Sequence, residues 1–329
     1  MTIPSAKKIL LVSAIDAPFV QDDVGLLQKH FRLQKQIGHG FLAILKIFIH
    51  ILTCDVVFCW FASVYAFVSV FLSKMFGIKS IVVVGGVDAA KDKELGYGIW
   101  LNPWKAKLVR YVFKNASKIL VVDPSLKESA VQLAHYEGKN IQYVATGYDA
   151  NFWKPLGEKE PIVLTVAVVN DERTFRIKGI DLLLDVANKL PDVTFLLIGV
   201  NSNLVLKKRP PLNMKFIDKL PRKELLYYYQ RAKVYCQPSR REGLPNALCE
   251  AMLCGCIPVA TDVGGNPTAV GDTGILIPAS NSEILTEAIK QALSMDENMG
   301  IRARARIVSL FPREKRETEI VRIIEGFKS

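Results

Sequence analysis

The chain has 329 residues, 50% hydrophobic and 23% charged, which excludes an intrinsically disordered protein and exceeds what a single core needs, so two domains are expected. Lysine and arginine number 43 against 32 aspartates and glutamates, a net charge of +11 that favours anionic partners: nucleic acid, anionic lipid headgroups or small phosphorylated substrates. Splitting the chain near Pro155 gives 18 basic against 11 acidic residues before it, or +7, and 25 against 21 after it, or +4.

The first apolar run, ILLVSAI, follows Lys7 and Lys8 in the manner of a secretory signal. It is short, Asp16 ends it and no small-residue cleavage site follows, so a first buried strand is expected. The next segment, HFRLQKQIGHGFLAILKIFIHIL (30–52), sets basic residues among apolar ones. That is not the Arg/Lys run with exposed aromatics of a nucleic-acid surface. It suits a membrane-facing surface, while the solvated face of ordinary helices is the commoner origin of such a pattern.

Val56 to Leu72, VVFCWFASVYAFVSVFL, is long enough to resemble a membrane span. It is read instead as a strand over 56–60 followed by a helix, because a second apolar strand, SIVVVGG, comes just after Lys74, Gly77 and Lys79. Further short apolar runs recur with helical patterns between them. Before residue 146 they are ILLVSA, DVVFCW, SIVVV, KILVV and IQYVA; after 161 they are IVLTVAVV, TFLLIG, VYCQP, IPVAT and GILIP. Two successive sets of alternating strand and helix predict two doubly wound parallel sheets, an α/β chain. Asn151 to Pro161, with two prolines and four charges, is the candidate linker. A helix is expected over 180–190, with Ile180, Leu183, Leu184, Ala187 and Leu190 on one face and Lys178-Gly179 just ahead of its first turn, where a helix N-terminus favours an anion.

The six cysteines form no C-x-x-C pair and have no neighbouring histidine, so they read as small core residues of a reducing compartment. None of His30, His39, His50 and His135 lies in a recognisable motif. No G-x-G-x-x-G follows the first strand, and there is neither a G-x-x-x-x-G-K-[ST] nor a D-x-D. Dinucleotide oxidoreductases and P-loop enzymes are therefore disfavoured, and a bound diphosphate would have to be neutralised by protein cations.

The stretch REGLPNALCEAMLCGCIPVATDVGG (241–265) places Glu242 beside a tight turn and Glu250 in an apolar run. Glu242-Gly243-Leu244-Pro245-Asn246 reads as a loop entering a helix at Pro245, with Asn246 in the cap region and free backbone N–H groups able to take phosphate or sugar oxygens. Glu250, in the first turns of that helix, can accept from the vicinal hydroxyls of a ribose, and Glu242 can hold hydroxyls of a second ring.

PSRREGLPNALCEAMLCGCIPVATDVGG, with FIDKLPRKELLYYYQRAKVYCQPS before it and GDTGILIPASNSEILTEAI after it, closely resembles the C-terminal domain of retaining glycosyltransferases of family 4, the group 1 glycosyltransferases of the GT-B fold. The family's E-x7-E pair falls on Glu242 and Glu250, and TGYDANFWKP resembles its interdomain motif. The likeness is dense from about 161 to 294 and thinner before.

The resemblance implies two Rossmann-like domains facing a cleft: residues 1–155 on the acceptor side, with a terminal helix over 312–329 packing back on them, and residues 156–311 binding the donor. It implies a nucleoside-diphosphate sugar as donor, with Lys178 and an arginine pinning the diphosphate in place of a metal; Arg173 is the first choice and Arg176 the alternative. It departs from the family at VVVGGVD, where Gly85 stands at the usual histidine, at the first strand-to-helix loop, IDAPFVQDDVG, and at Thr268, where an acid is usual. Gly85 and Gly86 are expected to offer backbone N–H groups to the donor, and Asp88 to lie near the acceptor. The expected function is a metal-independent, retaining transfer of a hexose-type sugar to a glycan or lipid-linked acceptor, without a cofactor or nucleic acid, in the cytoplasm or peripherally on the inner face of an anionic membrane. The alternatives are a non-catalytic nucleotide-sugar-binding or partner protein on the same fold, and a nucleotide-sugar epimerase.

Overall fold

The computed structural model describes residues 7–279 and 281–327; Lys328 and Ser329, at the end of the expected terminal helix, lie outside them. The chain divides into two compact units, one running to Thr146 and resuming at Glu314, the other spanning Gly147 to Arg313.

The first unit alternates strand and helix: β1 (Lys8–Ser13), α1 (Pro18–His30), β2 (Arg32–Ile37), α2 (Phe41–Ile51), β3 (Val56–Trp60), α3 (Val64–Met75), β4 (Lys79–Val84), α4 (Pro103–Asn115), β5 (Lys118–Val121), α5 (Pro124–Ala134) and β6 (Ile141–Tyr143). All six strands are parallel, in the order β2-β1-β3-β4-β5-β6. β3 is buried at every position and β1 and β4 at all but the first, as expected of parallel strands covered on both faces. The span-like stretch thus resolves into β3 and α3, with the Ser63 hydroxyl accepting from the Ala66 N–H at the start of the helix. Among the described residues no helix is long and apolar enough to cross a membrane.

The second unit contains β7 (Glu160–Val169), α6 (Glu172–Ile177), α7 (Ile180–Lys189), β8 (Thr194–Val200), α8 (Ser202–Leu206), β9 (Met214–Ile217), α9 (Arg222–Arg231), β10 (Ala232–Gln237), α10 (Asn246–Leu253), β11 (Ile257–Thr261), α11 (Asn266–Val270), β12 (Ile275–Ile277), α12 (Ser282–Ser294) and α13 (Glu297–Leu310). Its parallel sheet runs β12-β11-β10-β7-β8-β9. The first strand of this unit, β7, therefore lies beside its fourth, β10, and the strand order reverses between them. In open α/β sheets a crevice opens beyond the carboxyl ends of the strands at such a reversal, and ligands bind there.

Two strands have no counterpart among the expected runs, β2 (RLQKQI) and β9 (MKFI). Both are edge strands, and the exposed Arg32 and Lys35 on β2 are the charges that keep an open edge from pairing further.

The stretch expected to be a linker is instead part of the second unit's packing. Trp153 is 1% exposed and sets its ring edge-on to Tyr229, 5.5 Å away, while Lys159 Nζ donates to the carbonyls of Tyr229 and Cys254 at 2.8 and 2.7 Å. The last helix, α14 (Arg313–Glu325), carries the chain into the first unit. There Arg316 donates from Nε and Nη2 to Asp23 at 2.7 and 2.6 Å, and Trp60 Nε1 donates to the same carboxylate at 2.9 Å. Lys29 and His30 lie 2.9 and 2.7 Å from the Glu317 carboxylate, which these partners hold below the usual glutamate range. All six cysteines are buried and free, and burial pushes the thiols of Cys54 and Cys59 up to about 12.

Candidate active site

The two loops that follow β7 and β10 meet at the strand-order reversal of the second unit. After β7, Asp171 caps α6 by accepting from the Thr174 N–H at 2.7 Å, and the short helix ends at Lys178. Gly179 then turns the chain into α7 with φ +68°, and a Cβ there would stand 2.1 Å from the Pro238 carbonyl oxygen in the β10 loop. Only glycine lets the two loops approach this closely.

That approach brings Lys178 Nζ to 2.6 Å from Glu242 Oε1. Gln237, the last residue of β10, donates to the same oxygen at 2.7 Å and to Ser239 Oγ at 2.9 Å. The buried Tyr235 hydroxyl lies 3.1 Å from Gln237 Oε1, so the amide is oriented from both ends. The Lys178 side chain is 28% exposed and that of Glu242 is 9% exposed. Glu242 Oε2 accepts no hydrogen bond from the described residues and is not among the buried unpartnered atoms, so it remains open as an acceptor.

Gly243 and Gly264 hold the rest of the loop. The Gly243 carbonyl accepts from the Gly265 N–H at 2.9 Å, and a Cβ on Gly264, with φ +53°, would lie 2.1 Å from the Glu242 carbonyl oxygen. Leu244 is buried at 6% exposure. α10 starts at Asn246, one residue later than expected, with Pro245 extended ahead of it and no side-chain cap. The Asn246 amide oxygen instead accepts from the Tyr148 hydroxyl at 2.9 Å. The first N–H groups of α10 have no intrahelical acceptor by the geometry of any helix start.

Glu250 is 6% exposed and already engaged at both oxygens, by Arg222 Nη2 at 3.0 Å and by the Tyr229 hydroxyl at 3.4 Å. The Arg222 guanidinium lies over the Trp153 ring, 5.3 Å from its centroid. Glu250 is thus a paired carboxylate within its own unit. An ionised carboxylate offers about four lone-pair sites, so one group can accept from several donors at once.

Arg173 and Arg176 both sit exposed on α6, and the structure ties neither to Glu242. Arg240 is turned to Asp181, which accepts from Nη1 and Nη2 at 2.7 and 2.8 Å. Arg222 and Gln237 escaped the sequence reading because each reaches its partner only through the fold. The one available sign was an arginine directly after Pro221, in the first turn of a helix.

In the first unit, the expectation for Gly85, Gly86 and Asp88 is corrected. Asp88 Oδ1 accepts from the Gly85 and Gly86 N–H groups at 3.1 and 2.9 Å, and Oδ2 accepts from the Ala62 N–H at 2.9 Å. Those N–H groups are consumed within the loop, and Asp88, 1% exposed, is a buried knot rather than a group facing an acceptor. Burial pushes its carboxyl up to about 6 against the pull of these hydrogen bonds. A Cβ on Gly85 would stand 2.5 Å from a Phe61 ring carbon, so a side chain at this position would require that ring to shift.

Residues 149–306 match the family described as glycosyl transferases group 1. The second unit is related to the group 1 glycosyltransferases. The chain is 27% identical over 202 residues to a D-inositol 3-phosphate glycosyltransferase of Mycobacteroides abscessus, covering 55% of this chain and 45% of that protein. It is 29% identical over 224 residues to an N,N'-diacetylbacillosaminyl-diphospho-undecaprenol alpha-1,3-N-acetylgalactosaminyltransferase of Campylobacter jejuni, covering 60% and 58%. The chain thus spans about half the length of these curated relatives. Among solved structures, Anabaena HepE in complex with UDP-glucose superposes with a TM-score of 0.79 at 14% identity, covering 98% of this chain and 100% of that one. The fold is the two-sheet α/β fold of the GT-B glycosyltransferases, and the dense part of the sequence likeness lies in the unit that carries Lys178, Glu242 and Glu250.

Proposed function

We propose that this protein is a glycosyltransferase that moves a sugar from a nucleoside-diphosphate sugar to a glycan or lipid-linked acceptor, with retention and without a metal. The observation that carries the reading is the Lys178–Glu242 pair at the strand-order reversal, 2.6 Å apart and reached by loops from two different strands. A lysine has three N–H donors, so Lys178 can hold Glu242 and still present a cation to a diphosphate. As the bond to the sugar breaks, negative charge grows on the departing phosphate, and a fixed cation beside it lowers the barrier.

The remaining parts follow by chemistry. Glu242 Oε2 accepts from a hydroxyl of the transferring sugar, and the Gly243-Leu244-Pro245-Asn246 turn presents the start of α10 to the phosphates. Glu250, oriented by Arg222, accepts from the ribose hydroxyls of the nucleotide. Arg173, with Arg176 as the alternative, supplies a second cation from α6, while Asp88 shapes the first unit's loop without touching substrate. The names of the two sequence relatives support the transfer reaction, and one of them acts on a polyprenyl diphosphate-linked sugar.

The test is the thermal midpoint of the purified protein with EDTA present, against UDP, GDP and ADP and their sugar conjugates. A ligand at about a hundred times its dissociation constant adds roughly 2.7 kcal/mol to stability, a readable shift. A shift with one nucleotide family, followed by transfer to acceptor without metal, is the expected result. A folded sample that shifts with none of them overturns the reading.

A further inference from the structure

α2 is built the wrong way round for a helix on the surface of a water-soluble unit. Ala43, Ile47 and Ile51 face the sheet, as they should. The opposite face is apolar too: Phe41 is 77% exposed, Leu42 70%, Leu45 45%, Phe48 48%, Ile49 55% and Leu52 56%. At 100° per residue these six side chains centre on the direction pointing away from the core, where a solvated helix carries charge. Lys46 is the one formally charged residue in the helix.

The patch does not end with α2. The two helices are neighbours, tied at their starts by a 2.8 Å bond from the Gly40 N–H to the Tyr65 hydroxyl, and α3 adds exposed Phe71, Met75 and Phe76 at its far end. Contiguous exposed apolar surface of this kind marks an interaction site.

We propose that this face is a membrane-docking surface, with α2 lying in the headgroup region of an anionic bilayer. The charge of the segment that carries the patch selects the occupant. From Arg32 to Lys79 the chain carries five basic residues, Arg32, Lys35, Lys46, Lys74 and Lys79, and a single acid, Asp55, which accepts from the Lys8 N–H at 2.7 Å. Aromatic and aliphatic groups for insertion, in a segment whose charges are nearly all cationic and so suited to headgroup phosphates, is the composition of an interfacial helix. The helix has 11 residues, about half of what a span needs, so it lies on the membrane and does not cross it. The inference rests on the first unit alone and stands or falls independently of the sugar-transfer reading.

The test is flotation of the full chain with vesicles of phosphatidylcholine alone and with roughly a third phosphatidylglycerol, at low and high salt. The expected result is flotation with the anionic vesicles, weakened by salt. The double variant Leu45→Glu/Phe48→Glu should lower the bound fraction at least about tenfold with an unchanged melting midpoint, and Lys46→Glu should weaken binding at low salt only. Absence of flotation by the parent overturns the proposal, as does equal flotation of the double variant. A parent that sediments as a dimer, does not float and becomes monomeric in the double variant would assign the face to a second copy instead, which also overturns it.

Discussion

Lys178 and Glu242, 64 positions apart in the chain, meet at 2.6 Å because the loops after β7 and β10 converge where the strand order reverses. The pair is partly solvated on the lysine side and nearly buried on the glutamate side, at 28% and 9% exposure, so its geometry is held by Glu242 and Gln237 while Lys178 reaches outward.

Lys178→Ala should therefore lower sugar transfer by about 10²–10³-fold, the scale for removing one donor to a developing anion. Glu242→Gln keeps the volume but loses the charge that orients the lysine, and should lower kcat with nucleotide affinity changed by less than about threefold. Steady-state kinetics with nucleotide titration separates the two effects. Parental rates in both variants would remove the pair from the catalytic assignment.

Glu250→Gln should act on nucleotide affinity instead, weakening it about tenfold, or about 1.4 kcal/mol, by replacing an ionised acceptor with a neutral one. Arg222→Ala should produce the same weakening and also lower stability by about 1–3 kcal/mol, because it removes a partner from a carboxylate that is 6% exposed. Tyr229→Phe loses only a 3.4 Å contact to the carboxylate and should bind nucleotide within about twofold of the parent. Calorimetric titration and thermal melting of the three variants check the ordering; an unaltered affinity in Glu250→Gln would sink the ribose role.

Much of this was readable from the sequence, and for a physical reason. Central parallel strands are buried on both faces, so β1, β3, β4, β7 and β8 announce themselves as apolar runs, and the E-x7-E spacing survives folding because Glu242 and Glu250 share one loop and helix. Two of the four edge strands lack that signature: β2 carries the exposed Arg32 and Lys35, and β9 is four residues long. The pairing of Arg222 with Glu250 and the closure of Gly85 and Gly86 onto Asp88 were illegible for another reason. Both depend on the direction of a side chain or an N–H, which one-dimensional spacing does not carry. The same limit left the segment over 30–52 open between a membrane-facing surface and a solvated helix face, because the choice turns on which side chains of α2 are exposed.

Arg316 and Asp23 form a two-bond ion pair at 5% and 1% side-chain exposure, the contact that fastens α14 in the first unit. Arg316→Met leaves a buried carboxylate without its cation and should cost about 3–5 kcal/mol, whereas Arg316→Met combined with Asp23→Leu should recover part of the loss. Urea denaturation followed by tryptophan fluorescence, to which Trp60 beside the same carboxylate contributes, reads it. A single variant as stable as the parent would show that α14 is held without this pair.

Asp88 makes stability depend on pH in the direction opposite to an ion-paired carboxylate. Its carboxyl titrates near 6 in the folded chain against an ordinary value of 3.8, so the folded state holds the proton more tightly. Below about 3.8 the group is protonated in both states and imposes no charge-burial cost. As pH rises toward 6 the unfolded chain ionises first, and folding loses stability until the folded group ionises as well. The shift corresponds to about 3 kcal/mol between those limits. Asp88→Asn cannot titrate, so although it should be less stable overall for placing an amide among the N–H groups of Ala62, Gly85 and Gly86, its melting profile should lack this component. The stability of the parent relative to Asp88→Asn should therefore rise as pH is lowered from 7 to 4. Parallel profiles of the two proteins across that window would mean that the hydrogen bonds outweigh burial and that Asp88 is ionised throughout.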